Sequence, residues 1–128
     1  MTATAKHILV IEDEEAIRED LEEVLRLKGY SVASAPDGMD GLRQISARRP
    51  DLVLCDRLMP GLTGSELLTE LRASRPDLAG MPFVFLTALA DSADLREVEH
   101  LQPSAYISKP VDYATLVERI NQLLAAPR

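Results

Sequence analysis

Charged and hydroxyl side chains recur in this sequence directly after short apolar runs. Glu12 and Asp13 follow "HILVI", Asp56 follows "LVLC", Thr87 ends "FVFLT", and Lys109 follows "AYIS". Three carboxylates with no thiolate or imidazole favour a hard divalent cation such as Mg²⁺. A lysine and a hydroxyl opposite that cation suit the oxygens of a phosphoryl group. A carboxylate between the metal and the lysine could attack phosphorus and form an acyl phosphate.

These side chains meet only if the apolar runs are parallel strands of one sheet, because the carboxyl ends of such strands form a common ligand-binding edge. Segments between the runs repeat apolar residues at three- and four-residue spacing, as Ile17, Leu21 and Val24 do, which predicts amphipathic helices. Five β-α repeats predict an α/β fold, a parallel sheet with helices on both faces. The predicted strands are 7–11, 30–35, 52–55, 83–87 and 105–108. The predicted helices are 14–28, which Gly29 closes, a short helix around Leu42 and Ile45, then 65–74, 91–101 and a last helix from about Tyr113.

Composition restricts the class of protein. A chain of 128 residues suits one domain, 1–128 with its core at about 6–125. The chain contains neither an apolar run long enough to span a membrane nor a secretory signal pattern, and its one cysteine, Cys55, excludes an internal disulfide. We therefore expect a soluble, cytoplasmic protein without a membrane partner. The net charge of −7 argues against nucleic acid as a direct ligand.

The motifs taken together resemble a known family. In chain order they are Glu12-Asp13, Asp56-x-x-Met59-Pro60-Gly61, Thr87-Ala88 and Lys109-Pro110. Over essentially its whole length the sequence resembles the response-regulator receiver (CheY-like) domain of two-component signal transduction. The resemblance implies a doubly wound (βα)5 flavodoxin-like fold with strand order 2-1-3-4-5.

The resemblance also implies a phosphorelay role. Asp56 would accept a phosphoryl group from a histidine kinase or phosphotransfer protein, so the chain would be a phosphoprotein rather than an enzyme with a separate substrate. Asp13 would bind Mg²⁺ directly and Glu12 through water, and the backbone carbonyl of Leu58 would complete the ligands from the protein. Lys109 and Thr87 would each hold a phosphoryl oxygen.

The resemblance further implies that Thr87 and Tyr106 act as a switch. After phosphorylation the Thr87 hydroxyl would move toward the phosphoryl group, and the Tyr106 ring would turn into the vacated space. This population shift would reshape the surface of the fourth predicted helix, the fifth strand and the last helix, where a downstream partner or an output domain would dock.

Some positions depart from the family pattern. The acidic residues that often mediate dimerisation are replaced around Pro103 and Ser104, although Arg119 remains, so we expect a monomer or a weak phosphorylation-dependent dimer. Leu58 and Leu89 stand two residues after Asp56 and Thr87, at positions that in the family flank the water that attacks the phosphoryl group. Neither leucine can orient that water by a hydrogen bond, so we expect a phosphoryl group that survives for minutes or longer.

Three further residues, Arg57, His7 and Cys55, have predicted environments. By strand alternation Arg57 should point outward, as a loop residue or toward a partner; the alternative is a role beside the phosphoryl group. His7 is expected at the surface, and Cys55 is expected to be an inert core residue.

One alternative function is a Mg²⁺-dependent aspartate-nucleophile phosphatase, which would need a second aspartate where Leu58 stands. The other is a binding-only receiver, which usually lacks one of the site residues.

Overall fold

The strands form the parallel sheet that the sequence predicts. The computed structural model describes residues 5–56, 59, 61–78, 80–87 and 105–125. All strand pairs are parallel, and the spatial order is β2-β1-β3-β4-β5. The strands are β1 (His7–Ile11), β2 (Ser31–Ala35), β3 (Leu52–Asp56), β4 (Phe83–Thr87) and β5 (Ala105–Ser108).

Four α-helices accompany the strands within the described residues: α1 (Glu15–Leu27), α2 (Gly38–Ala47), α3 (Gly64–Ser74) and the last helix, α4 (Tyr113–Ala125). The helix predicted over 91–101 lies outside the described part of the chain. Among the described residues no helix combines the length and apolarity that a membrane crossing requires.

Alternation along each strand divides the core between the two faces of the sheet. In β3, Val53 and Cys55 pack with buried leucines of α3, whereas Leu52 and Leu54 pack on the opposite face. That opposite face is covered by α1 and α4, through residues such as Leu21. Both faces of β3 are therefore filled, which leaves only its carboxyl end open for chemistry.

Local signals fix where the helices begin and end. Gly29 has φ 93°, the left-handed conformation that glycine adopts most easily, and it directly follows the C-cap of α1. The Asp37 side chain accepts a hydrogen bond from the N–H of Asp40 and caps α2. Thr63 and Glu66 form a reciprocal capping box at the start of α3. The helices that follow β2 and β3, which are α2 and α3, therefore each begin at a residue fixed by a side-chain cap.

The edge strand β2 has its outward carbonyls covered from within the chain. Arg26 Nη2 donates to the carbonyl oxygen of Val32 at 3.0 Å, and Gln44 Nε2 donates to that of Ser34 at 2.8 Å. This marginal position of β2 agrees with the sequence, which places no candidate site residue after it.

Candidate functional site

Strand register brings the predicted residues to one edge of the sheet. Ile11 of β1 pairs with Cys55 of β3, so the residues that follow, Glu12 and Asp56, are neighbours. Thr87, the last residue of β4, pairs with Ser108 of β5, and Lys109 comes next. The strand β3 continues through Asp56 rather than ending at Cys55, which places the carboxylate on a backbone held by the sheet.

Three carboxylates crowd together at this edge. Glu12, Asp13 and Asp56 each offer an oxygen, and these oxygens lie within 4.8 Å of one another. Glu12 is fully buried and Asp56 is 6% exposed, whereas Asp13 is exposed. Although Asp13 is exposed, partial loss of its hydration at this crowded edge, together with the negative charge of Asp56, raises its pKa. The carboxylate cluster is therefore buried at Glu12 and Asp56 and open to solvent at Asp13.

Lys109 supplies the balancing positive charge. Its Nζ donates to Oε1 of Glu12 at 2.7 Å and to Oδ2 of Asp56 at 3.1 Å. Burial acts to lower the pKa of Lys109, but its hydrogen bond to Glu12 and the charge of Asp56 outweigh burial and raise it. The ammonium is thus held in its charged form against the two carboxylates.

Glu12 retains one oxygen without a donor. Its Oε2 is buried and has no hydrogen-bond partner within the described residues. The pKa of Glu12 is raised to about 7, first by burial and then by the neighbouring Asp56 carboxyl, with Lys109 opposing both. Burial is therefore a larger cause of this raised pKa than the neighbouring carboxylate is. A proton, a water molecule or a cation would satisfy Oε2.

The raised pKa of Glu12 predicts a pH-dependent stability in the absence of metal. Because the folded pKa of about 7 exceeds the ordinary value of 4.5, the folded chain binds this proton more tightly than the unfolded chain does. The contribution is present below about pH 4.5 and is lost as the pH rises through 7, with a total of about 3 kcal/mol. Urea unfolding at pH 5.5 and pH 8 should show about 2 kcal/mol of this loss in the wild-type chain, because the contribution already declines above pH 4.5.

Glu12→Gln should remove this component, and Glu23→Gln, a change at an exposed position of α1, should retain it. An unchanged difference between the two pH values in Glu12→Gln would show that another group is responsible.

Arg18 contributes to the site in a way that sequence reasoning missed. Its Nη1 donates to the backbone carbonyl oxygen of Glu12 at 2.9 Å. The hydrogen bond ties the first turns of α1 to the end of β1, which fixes the turn that presents Glu12 and Asp13. An arginine near a helix N-terminus gives no sequence signal of such a contact.

The two predicted switch residues lie on β4 and β5. Thr87 is 5% exposed, and its backbone carbonyl accepts a hydrogen bond from the N–H of Lys109 at 2.8 Å. Tyr106 is half-buried, and its ring stacks on Phe85 with centroids 6.1 Å apart. Thr87 and Tyr106 thus belong to adjacent, directly paired strands.

His7 and Cys55 are both buried, although the sequence predicted burial only for Cys55. His7 is buried rather than at the surface, because its backbone N–H donates to Asp51 Oδ2 at 2.7 Å and its Nδ1 lies 3.1 Å from Ser31 Oγ. Cys55 is buried as expected, and burial raises the pKa of its thiol. The predictions for Arg57, Leu58, Ala88, Leu89, Pro103 and Ser104 concern residues outside the described ranges.

A family comparison matches the chain over most of its length. Residues 8–121 match the family described as "Response regulator receiver domain". The transcriptional regulatory protein CseB of Streptomyces coelicolor is 40% identical over 124 residues, which are 95% of this chain and 50% of that protein. The chain thus spans about half the length of the curated relatives it matches.

Solved structures agree with the topology. A putative response regulator from Chloroflexus aurantiacus superposes with a TM-score of 0.89 at 32% identity, covering 96% of this chain and 100% of that one. The chemotaxis protein CheY4 of Vibrio cholerae superposes with a TM-score of 0.88 at 24% identity, covering 94% and 99%. At that identity the second match supports the fold alone.

Proposed function

This chain belongs to the response-regulator receiver domains of two-component systems, and on that premise we propose that Asp56 is its phosphoacceptor. One observation carries the proposal: Asp56 contacts Lys109 at 3.1 Å and also offers an oxygen within 4.8 Å of those of Glu12 and Asp13. A carboxylate that adjoins both a cation and a metal-binding set is arranged for attack on phosphorus.

The transfer would use groups already in position. An Asp56 carboxylate oxygen attacks phosphorus while the bond from phosphorus to the donor's imidazole nitrogen breaks, and the imidazole leaves. Lys109 would hold a phosphoryl oxygen, exchanging its ion pairs with Glu12 and Asp56 for the charge on the transferred group. Because the lysine is already partly buried, this contact needs little reorganisation.

The residues present fit Mg²⁺. Glu12, Asp13 and Asp56 offer only carboxylate oxygens, the donors that this cation prefers. The unpartnered Oε2 of Glu12 also favours a positive ligand or its bound water. We propose that Asp13 and Asp56 bind the ion directly, Glu12 binds through water, and the Leu58 carbonyl adds a ligand. The bound cation would supply charge neutralisation for the incoming phosphoryl group.

We propose that Thr87 and Tyr106 transmit the phosphorylated state. Both lie on strands that adjoin Lys109, and Tyr106 borders a cleft of about 350 Å³ with residues of α4, including Glu118 and Arg119. A rotation of the Tyr106 ring would change the shape of that cleft. A downstream protein or an output domain is the proposed partner of this surface.

The remaining features of the proposal follow from family membership. A histidine kinase or phosphotransfer protein would be the donor, and the chain would act in the cytoplasm without contacting nucleic acid or membrane directly. The proposed assembly is a monomer or a weak dimer formed on phosphorylation. The chain would assist its own phosphorylation and dephosphorylation without turning over a separate substrate.

Incubation with Mg²⁺ and acetyl phosphate, followed by intact mass measurement, tests this function. We expect one added phosphoryl group, which hydroxylamine removes as it does other acyl phosphates. Steady release of inorganic phosphate would instead indicate the aspartate-nucleophile phosphatase, and an unchanged mass would indicate a binding-only receiver. Omitting Mg²⁺ should prevent the mass increase.

Leu58→Asn should shorten the lifetime of the phosphoryl group. An amide two residues after Asp56 could orient the attacking water, which leucine cannot do. The decay of the phosphorylated mass, measured after removal of acetyl phosphate, should accelerate about tenfold or more. Leu58→Met, which keeps an apolar side chain, should decay at the wild-type rate; equal decay of all three proteins would contradict the role of Leu58.

A further inference from the structure

Gly38 makes an unusually close backbone contact. It is buried at the first position of α2, and a Cβ built on it would lie 2.5 Å from the backbone carbonyl oxygen of Leu62 and 3.0 Å from Leu62 Cβ. Among the described glycines, positive φ occurs at Gly29 and Gly61, so conformation does not demand glycine at 38. The proximity of Leu62 does.

Leu62 belongs to the connection from β3 to α3, which begins directly after Asp56. This connection is tied down at several described points. Met59 is buried in the core, Leu62 packs partly buried against the same core, and Thr63 opens the capping box of α3. Residue 58, whose carbonyl is the proposed metal ligand, lies on this short segment. A displacement at Leu62 would therefore be passed along a few residues to the site.

Contacts with β1, β2 and the core restrict the movement of α2. Gln44 donates to the carbonyl oxygen of Ser34 at 2.8 Å, and Ile45 is 1% exposed in the core. At Gly41, one turn after Gly38, an added Cβ would lie 2.5 Å from Ile11 Cδ1, so the helix already lies close against β1. In a close-packed interior an added methyl group forces one of the two segments to shift. Because these contacts hold α2 against β1 and β2, we expect the shift at Leu62 in the connection.

We propose that Gly38 is a positioning residue for the metal and phosphoryl site. It touches neither metal nor phosphoryl group, and acts by allowing Leu62 to approach, so that Met59 and Leu62, the described residues that hold this connection against the core, keep their positions. The inference rests on the proposed function, because it assigns Gly38 a part in the same site.

Gly38→Ala, compared with Gly80→Ala, tests the inference. Gly80 is exposed, lacks a positive φ, and a Cβ built there meets no heavy atom within 4 Å, so it is a matched control. We expect Gly38→Ala to raise the Mg²⁺ dissociation constant about tenfold by titration calorimetry, as loss of a supporting contact does at other metal sites. Phosphorylation by acetyl phosphate should slow by a similar factor at limiting Mg²⁺ and recover at saturating Mg²⁺, while Gly80→Ala should match wild type.

The free energy of unfolding distinguishes positioning from general stability. A purely structural role for Gly38 would lower that free energy and leave the Mg²⁺ dissociation constant unchanged, which would overturn the inference. Should Gly38→Ala not fold, Leu62→Ala offers a second test. It keeps the backbone oxygen and Cβ that face Gly38 but removes the side-chain atoms that pack this connection against the core, so it should also weaken Mg²⁺ binding. If every variant that folds binds Mg²⁺ with the wild-type dissociation constant, the inference about Gly38 is overturned and the proposed function is not affected. Absence of Mg²⁺ binding and phosphorylation in the wild-type chain would instead reject the proposed function.

Discussion

Asp56→Asn should abolish phosphorylation by acetyl phosphate. The amide has nearly the shape of the carboxylate, so the packing at the end of β3 is retained, but it is a far weaker nucleophile. It also removes one of the three proposed metal-site carboxylates. Intact mass measured over time with Mg²⁺ present should show no added phosphoryl group, against complete or near-complete labelling of the wild-type chain.

Asp20→Asn is a suitable control for this experiment. Asp20 is exposed on α1, and its contact is a long hydrogen bond of 3.4 Å from the Tyr113 hydroxyl. This variant should label as the wild type does. Equal labelling of Asp56→Asn and wild type would place the acceptor at another residue, and hydroxylamine stability of the adduct would show whether that residue is a carboxylate.

Lys109→Met should have the second large effect, on both stability and chemistry. The substitution keeps the length of the side chain but removes the charge that neutralises Glu12, which is fully buried, and Asp56. Breaking a buried ion pair on one side costs about 3 kcal/mol. Loss of the only lysine at this edge within the described residues should also slow phosphorylation about 100-fold, the usual cost of one missing donor to a transition-state oxygen.

Urea unfolding at pH 8 measures the first effect, because Glu12 is then mostly ionised in the wild-type chain. Lys28→Met, at an exposed lysine that follows α1, should leave stability within about 0.5 kcal/mol of wild type. The double variant Lys109→Met with Glu12→Gln should recover part of the loss, since one of the stranded charges is gone. If Lys109→Met were as stable as wild type at pH 8, the ion pairs would not be stabilising the apo chain.

Hydrophobic periodicity was sufficient to predict the strands and the described helices. Strands that are buried on both faces read as continuous apolar runs, so "HILVI" and "FVFLT" gave the bounds of β1 and β4 without error. The convergence of Glu12, Asp56 and Lys109 also followed, because parallel strands bring their carboxyl ends to one edge. The extension of β3 through Asp56 was not predicted, since a charged residue carries no strand signal of its own.

Contacts between distant segments were beyond sequence reasoning. The hydrogen bond from Arg18 to the Glu12 carbonyl depends on a side-chain rotamer, and the burial of His7 depends on Asp51, which is distant in sequence. The approach of Leu62 to Gly38 depends on how tightly α2 packs. In each case the residue type is compatible with several environments, and only the assembled fold selects one.

The covered edge of β2 has a consequence for how this domain can associate. The carbonyl oxygens of Val32 and Ser34 already accept hydrogen bonds from Arg26 and Gln44, so an incoming strand would have to displace both side chains. The domain is thereby protected against edge-to-edge aggregation through β2. The proposed association on phosphorylation would then use other surfaces, such as the one near β5 at the opposite edge of the sheet.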